Sequence, residues 1–335
     1  MTERDYTLVT VVFEKEYEFL VLQARSLRLH APRDLFAAIL VIDNSAGGMP
    51  AAVRERLLDQ YGDLAPSVRF MGRADFGLAT KGKGWVTQQV LKLLAASVIE
   101  TPRYVVIDAK NHFVAPFGRG NFEAPDGRAR IAMISYRTHA LSGHLARVLA
   151  FVGLEPETFV DRFPQTRTPF VFDTASVRRM TDELARREGE SFEALFVRHN
   201  FTEFFLYSAW LLKTPGAFEA LYLVGDFELP GVWKHYADAD GCRRTIASLD
   251  RAMAPMFGIH RDALALLDRR ARRVVADFWA ERGLFPSREA AEAFILDHRA
   301  RYPQPPTAVV RHRIRTAIIE ARRGIGRALR RVGLR

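Results

Sequence analysis

Residues Tyr104–Pro116 read YVVIDAKNHFVAP. A short apolar run, rich in β-branched residues, stops at Asp108, and Lys110 and Asn111 follow at once. A run of this length that is apolar throughout fits a strand buried on both faces, as in the middle of a parallel sheet. In such sheets ligands bind in the crevice beyond the carboxyl ends of the strands. The stretch therefore marks a fold and a place, with a carboxylate, an ammonium and an amide delivered together where a central strand ends.

The neighbouring sequence repeats the pattern. Thr7–Phe13 (TLVTVVF), Ala37–Ser45 (AAILVIDNS), VRFM at 68–71 and Ala129–Tyr136 (ARIAMISY) are further short apolar runs. Between them lie segments of helical spacing. EYEFLVLQARSLRLH carries Phe19, Leu22, Leu27 and Leu29 on or near one face, residues 50–61 read as a helix, and WVTQQVLKLLAASVIE carries Val86, Val90, Leu93, Leu94 and Val98. Alternating strands and helices predict an α/β protein with a Rossmann-like, mostly parallel central sheet flanked by helices.

After about Leu141 the pattern turns mainly helical. SFEALFVRHNFTEFFLYSAWLLK reads as one long helix or two abutting ones, FVFD as a short strand, and Met256–His260 (MFGIH) as one more. The expected organisation is a domain over 1–260, whose two halves meet at about 136–137. A helical extension follows over 261–302, then a proline-rich linker over 303–307 and a basic amphipathic helix over 308–335. At 335 residues and 48% hydrophobic, the chain suffices for one large α/β domain with additions, or for two smaller ones.

Several classes are excluded. The loop GRADFGLATKGKG has glycines and lysines without P-loop spacing, and no G-x-G-x-x-G follows the first strand. There is no G-x-S-x-G elbow and no zinc-spaced His or Cys cluster. The single cysteine, Cys242, forms no internal disulfide, fits a reducing cytoplasm and reads as a bystander thiol in a loop. No secretory signal is expected, and no apolar run reaches the roughly 20 residues of a membrane span.

The residues just past each strand are the first site candidates: Phe13 and Glu14, Asp43 and Asn44, then Asp108, Lys110 and Asn111. Two strand-end acids suit a nucleotide site, one meeting ribose or base and the other facing phosphate. Either aspartate also serves as an ordinary turn former. Lys81 and Lys83 lie in the glycine-rich loop, where they could clamp phosphate. Trp85, Gln88 and Gln89 open the next helix, and Gln88 and Lys92 are one turn apart. Glu203 sits amid the aromatics of FTEFFLY, surroundings that raise a carboxylate towards the range of a general base; it also suits a helix N-terminus. Arg167 and Thr168 lie in a loop before a strand, where they could meet a substrate. Trp233, Lys234 and His235 combine a stacking surface with charge, and His260 ends its strand as Asp108 does.

The succession of strand, helix and VIDNS, then GKGWVTQQVLKL, then YVVIDAKNHF resembles the type A (GT-A) glycosyltransferases, the nucleotide-diphospho-sugar transferase superfamily, and most of all a bacterial branch of it. The resemblance covers roughly Thr7 to His260 and implies a nucleotide-binding half over about 1–136 and an acceptor half over about 137–260. It implies a sugar transferred from a nucleotide-sugar donor, with Asp108 in the position of a D-x-D motif that binds Mn²⁺ or Mg²⁺ and the donor diphosphate. It also implies a late histidine, His260, as a second metal ligand, functional roles for Trp85, Gln88 and Gln89, and Glu203 as the base of an inverting reaction. This chain departs from the motif at Lys110, which stands where the second aspartate would. A lysine neutralises diphosphate directly, as a point charge.

The net charge of +10 is concentrated at one end: from Arg311 to Arg335 nine arginines face one acid, Glu320, so this segment carries +8 and the rest +2. Val310, Ile314, Ala317, Ile318, Ala321, Ile325, Leu329 and Val332 make one apolar stripe among the arginines. A basic amphipathic helix fits an anionic membrane surface, while nucleic acid is disfavoured because the segment has no aromatics to stack on bases. The expectation is a cytoplasmic enzyme, peripheral on the inner face of the plasma membrane, that glycosylates a lipid-linked or polysaccharide acceptor. The alternatives are a non-catalytic nucleotide- or sugar-binding scaffold with a degenerate D-x-D motif and, less favoured, a nucleotidyltransferase.

Overall fold

The computed structural model describes residues 5–78, 84–225, 229–252, 254–312 and 314. Backbone contacts divide the chain into two units, Met1–Leu229 and Pro230–Arg335; the sequence pattern had suggested a boundary near 260.

The first unit opens with β1 (Tyr6–Val12), α1 (Tyr17–His30), β2 (Ala38–Asp43), α2 (Ala51–Tyr61), β3 (Val68–Gly72), α3 (Gly84–Leu94), β4 (Arg103–Val106) and a short β5 (Asn111–Phe113). β1 is buried along its whole length and β2 along all but its first residue, which is why their sequences show no polar alternation. Each Val, Leu or Ile so buried contributes about 1.5–3 kcal/mol. Strand order is β3-β2-β1-β4, all parallel, then β9 (Phe170–Asp173) as an antiparallel edge. The chain moves outward from β1 to β2 and β3 on one side and to β4 on the other. The order therefore reverses between β1 and β4, the position at which sheets of this kind bind their ligands.

The expected strand Ala129–Tyr136 does not enter this sheet. It breaks into β6 (Ala129–Ile131) and β7 (Met133–Ile134), which pair elsewhere: β7 with β8 (Phe163–Pro164), β6 with β10 (Tyr222–Val224). The fifth position goes to β9, whose Phe170 and Phe172 lie among Phe204, Tyr104 and Tyr207. Helices α4 (Ser142–Val152), α5 (Pro156–Phe159), α6 (Thr174–Glu188), α7 (Phe192–His199), α8 (Glu203–Leu212) and α9 (Ala217–Leu221) complete the unit. The 191–213 segment is two helices because Asn200 takes a left-handed backbone, φ 51°, at the end of α7.

In the second unit β11 (Gly231–Val232) pairs in parallel with β12 (Met256–Ile259), accompanied by α10 (Ala239–Ala252), α11 (Arg261–Leu266), α12 (Arg269–Glu281) and α13 (Arg288–Arg301). Trp279 is fully buried against Phe285 and Phe294. Cys242 is helical rather than in a loop, and burial pushes its thiol up to about 12, so it is unreactive. Among the described residues no helix is long and apolar enough to cross a membrane.

Candidate functional site

Asp108 stands two residues beyond β4, at the point where the strand order reverses, and neither of its oxygens is open. Lys92 Nζ donates to Oδ1 at 2.9 Å, and Lys110 Nζ donates to Oδ2. Lys92 also donates to Glu203 Oε1 at 2.9 Å, so one ammonium joins α3, the end of β4 and the first turn of α8. The Lys92 and Glu203 side chains are only 6% and 5% exposed, against 22% and 23% for Asp108 and Lys110. Lys92 Nζ lies 5.1 Å from the ring of Phe204, a further attraction for the cation.

The charges hold one another. Burial disfavours the ionised Asp108, but Lys110 and Lys92 outweigh it and keep the carboxyl well below the usual carboxylate range. Burial likewise opposes charge on Lys92, but Asp108 and Glu203 raise its pKa above the ordinary value. His112 is buried and pushed down to about 3, so it is neutral at pH 7.

The backbone around Asp108 is fixed from beneath by Gln23 on α1. Its Nε2 donates to the carbonyls of Asp108 (3.0 Å) and Asn111 (2.9 Å), and Thr10 on β1 donates to its Oε1 at 2.8 Å. From the other side Thr168 Oγ1 accepts from Asn111 Nδ2 at 2.7 Å and from the Asp108 amide at 3.3 Å. Asn111 Oδ1 is buried with no hydrogen-bond partner.

The end of β2 is organised differently. Asp43 Oδ1 accepts from Tyr17 Oη (3.0 Å), the Ser45 amide (3.1 Å) and Ser45 Oγ (2.6 Å), while the buried Oδ2 has no partner. Asn44 Nδ2 donates to the Gly84 carbonyl at 2.9 Å, tying the loop to the start of α3, and Asn44 Oδ1 is again a buried acceptor without a donor. Leaving a buried acceptor unmet costs about 1–3 kcal/mol, so three of them at or just beyond the ends of the two strands that flank β1 are an unusual concentration.

The remaining sequence candidates fall around this centre or outside it. Gln88 Nε2 donates to the Val11 carbonyl at 3.3 Å, and Gln89 Nε2 to the Trp85 carbonyl at 3.3 Å. Trp85 is exposed, its ring edge-on to His144 at 6.0 Å. Phe13 is half-buried, and Glu14 and Arg167 are exposed. Lys81 and Lys83 lie outside the described residues, as does the tail beyond Ile314.

In the second unit Trp233, Lys234 and His235 are consecutive exposed residues. Trp233 stacks on His260 at 5.3 Å, and Lys234 pairs with Asp262 at 2.6 Å. His260 caps α11, its Nδ1 accepting from the Asp262 amide at 3.2 Å.

A divalent cation fits these residues poorly. Asp108 presents both oxygens to ammonium groups, the neighbouring side chain is Lys110 rather than a second acid, and among the described residues no group of three or more His, Cys, Asp or Glu could hold a metal.

Sequence reasoning passed over Gln23 and Tyr17, and it read Lys92 only as a partner of Gln88 facing a cleft. The signal for Lys92 was present: a lysine between Leu91 and Leu93, on a face otherwise committed to the core. Gln23 is the same kind of intruder in LVLQARSL.

No curated protein matches the chain in sequence. Among solved structures it is similar to the bifunctional glycosyltransferase WbbM (13% identity, TM-score 0.42, 77% of this chain and 46% of that one). It is also similar to the galactosyltransferase LgtC in complex with donor and acceptor sugar analogues (12%, TM-score 0.44, 82% and 99%). A third likeness is the glycosyltransferase GlyE of Streptococcus pneumoniae (10%, TM-score 0.44, 88% and 63%). The chain thus spans about half the length of WbbM. In sequence, residues 21–239 match a family model that covers strands β2, β3, β4 and β9, the strand-end acids and the Lys92 network, and the chain belongs to it: the family of unknown function DUF6492.

Proposed function

We propose that the Met1–Leu229 unit is a glycosyltransferase of GT-A type that moves a sugar from a nucleotide-sugar donor to a glycan or lipid-linked acceptor. The observation that carries this reading is the placing, at the ends of the two parallel strands that flank β1, of open buried acceptors at Asp43 and Asn44 and of a lysine-rich centre at Asp108. A nucleoside offers hydroxyl and N–H donors, which is what the Asp43 and Asn44 oxygens lack. A diphosphate needs cations, and Lys110 is the one able to move: its side chain is partly exposed, and if it turns to phosphate, Asp108 keeps Lys92. Lys92 itself stays fixed between two carboxylates. Cations preorganised beside a departing nucleoside diphosphate stabilise the charge that develops on it. No step here is routed through a metal.

In this scheme Glu203 positions Lys92. As a base it would have to leave a buried ion pair, so the geometry favours the positioning role. The same closure of Glu203 and Asp108 favours the second reading, a scaffold that binds a nucleotide-sugar and turns nothing over. The basic tail, with Val310 and Ile314 exposed at its start, would hold the protein against the anionic cytoplasmic face of a membrane.

A thermal-shift panel of UDP-, GDP-, CMP- and dTDP-linked sugars, each with Mn²⁺ and with EDTA, tests the donor class. Stabilisation by one nucleotide series, equal under both conditions, is the expected result. Slow donor hydrolysis by the protein that binds separates the enzyme from the scaffold. The absence of any shift would sink both.

A further inference from the structure

A small pocket, whose interior space for water-sized groups is about 10 Å³, lies in the first unit between the loop before β9 and the β6–β10 pair. Arg130, Gln165, Arg167, Pro169, Val171 and Tyr222 are among its lining residues. It sits at the same end of the sheet as Asp108. Phe170, also in the lining, pairs with Val106, two residues before Asp108, and Thr168, between Arg167 and Pro169, is the residue that Asp108 and Asn111 grip.

The two arginines stand apart from their neighbours. Arg103 and Arg119 pair with Glu123, Arg128 with Asp126, and Arg137 with Asp161. Arg130 is held instead by its Nε, which donates to the carbonyls of Gly120 and Glu123 at 3.2 Å each. Among the described residues neither Arg130 nor Arg167 meets a carboxylate, and the pocket lining contains no acid. Two guanidiniums beside one pocket, one of them already oriented, make a receptor for a small oxyanion.

We infer that Arg130 and Arg167 form a subsite for a phosphate ester carried by the acceptor. The assignment to the acceptor rests on the glycosyltransferase reading, because the donor diphosphate is placed at Lys110 and the pocket lies beyond Thr168. An arginine-bound phosphate here would anchor an acceptor at the edge of the reacting centre without touching the donor.

The test is isothermal titration of the full chain with a hexose 6-phosphate, with monomeric dodecyl phosphate and with a neutral hexose. UDP, GDP, CDP and dTDP report on the donor site. One phosphate ester should bind more tightly than the neutral sugar: the hexose ester if the acceptor is a sugar phosphate, the dodecyl ester if it is a lipid phosphate. Arg167→Gln should weaken that binding about tenfold or more, the size of one charge-assisted hydrogen bond, with Arg167→Lys intermediate. Arg167 is exposed, so both variants should fold. Affinity for the nucleoside diphosphate should stay within about twofold. Phosphate esters that bind no better than the neutral hexose overturn the proposal. So does an Arg167→Gln protein that loses nucleotide as well, which would make the pocket part of the donor site. If the esters bind in an Arg167-dependent way but no nucleotide binds, the donor reading falls and the acceptor assignment falls with it, while the anion pocket stands.

Discussion

Asp43 and Asp108 stand at the ends of the two parallel strands that flank β1, and each closes an apolar run with the same Val-Ile-Asp sequence, yet they have become opposite devices. Asp108 is closed, with an ammonium on each oxygen. Asp43 is open, with one oxygen crowded by Tyr17 and Ser45 and the other buried and unmet. A closed carboxylate contributes to holding helices and cations in place. An open one waits for a donor from outside the chain. Residue type and strand position do not distinguish them; what differs is whether another element brings a cation.

The comparison is most exposed at Lys92. Lys92→Met leaves Asp108 with Lys110 alone and strands Glu203 in the interior, and breaking a buried pair in this way costs about 3–5 kcal/mol. Urea denaturation should show that loss, with partial recovery in the Lys92→Met/Glu203→Gln double variant. If the single variant is as stable as the parent, the network is ornamental.

Asp43→Asn should behave in the reverse sense. The fold should change little, but nucleotide affinity should drop by about 1.5–3 kcal/mol, as for a lost hydrogen bond to a charged group. Asp108→Asn should lower stability before it lowers nucleotide affinity. Measured side by side by denaturation and titration, the two variants would erase the distinction if their profiles coincided.

Acidity gives a further handle. Asp108 is depressed in the folded protein, so its contribution is present above the unfolded value of about 4 and is lost as pH falls below it. Lys92 is raised, so its contribution is complete below about 10.4 and fades as pH rises beyond it. Stability owed to the network should therefore be flat between about pH 4 and 10, and the Lys92→Met protein should lack the alkaline loss. Urea midpoints across pH would detect it.

The smallest effect on the fold is expected at the tail. Removing 308–335 should leave the melting temperature within a degree or two, a change of about 0.5 kcal/mol or less. It should abolish sedimentation with anionic vesicles. Retained vesicle binding would move the membrane contact elsewhere.

Much of the strand-end geometry was legible because burial is written in composition. The apolar runs ending at Asp43 and Asp108 are strands because only a parallel, doubly covered sheet accepts them, and the crevice follows from that topology. Asp43, Asn44, Asp108, Lys110 and Asn111 could be named from position alone. Some details escaped. The antiparallel β9 took the place expected of Ala129–Tyr136 because edge position is decided by packing against Phe204 and Tyr207, which lie more than thirty residues away in the chain.

By itself, then, the sequence determined the α/β class, the helices and strands that build the sheet and the acids at the strand ends, all set by local apolar patterning. Only the tertiary structure decided that Lys92 reaches across to Asp108 and Glu203, that Gln23 clamps the loop from below, that Asp43 keeps one oxygen free and that Arg130 and Arg167 share a pocket. The reason is physical: burial is an average property that short stretches of sequence record, whereas charge pairing acts between particular atoms that only the completed fold brings within hydrogen-bonding distance.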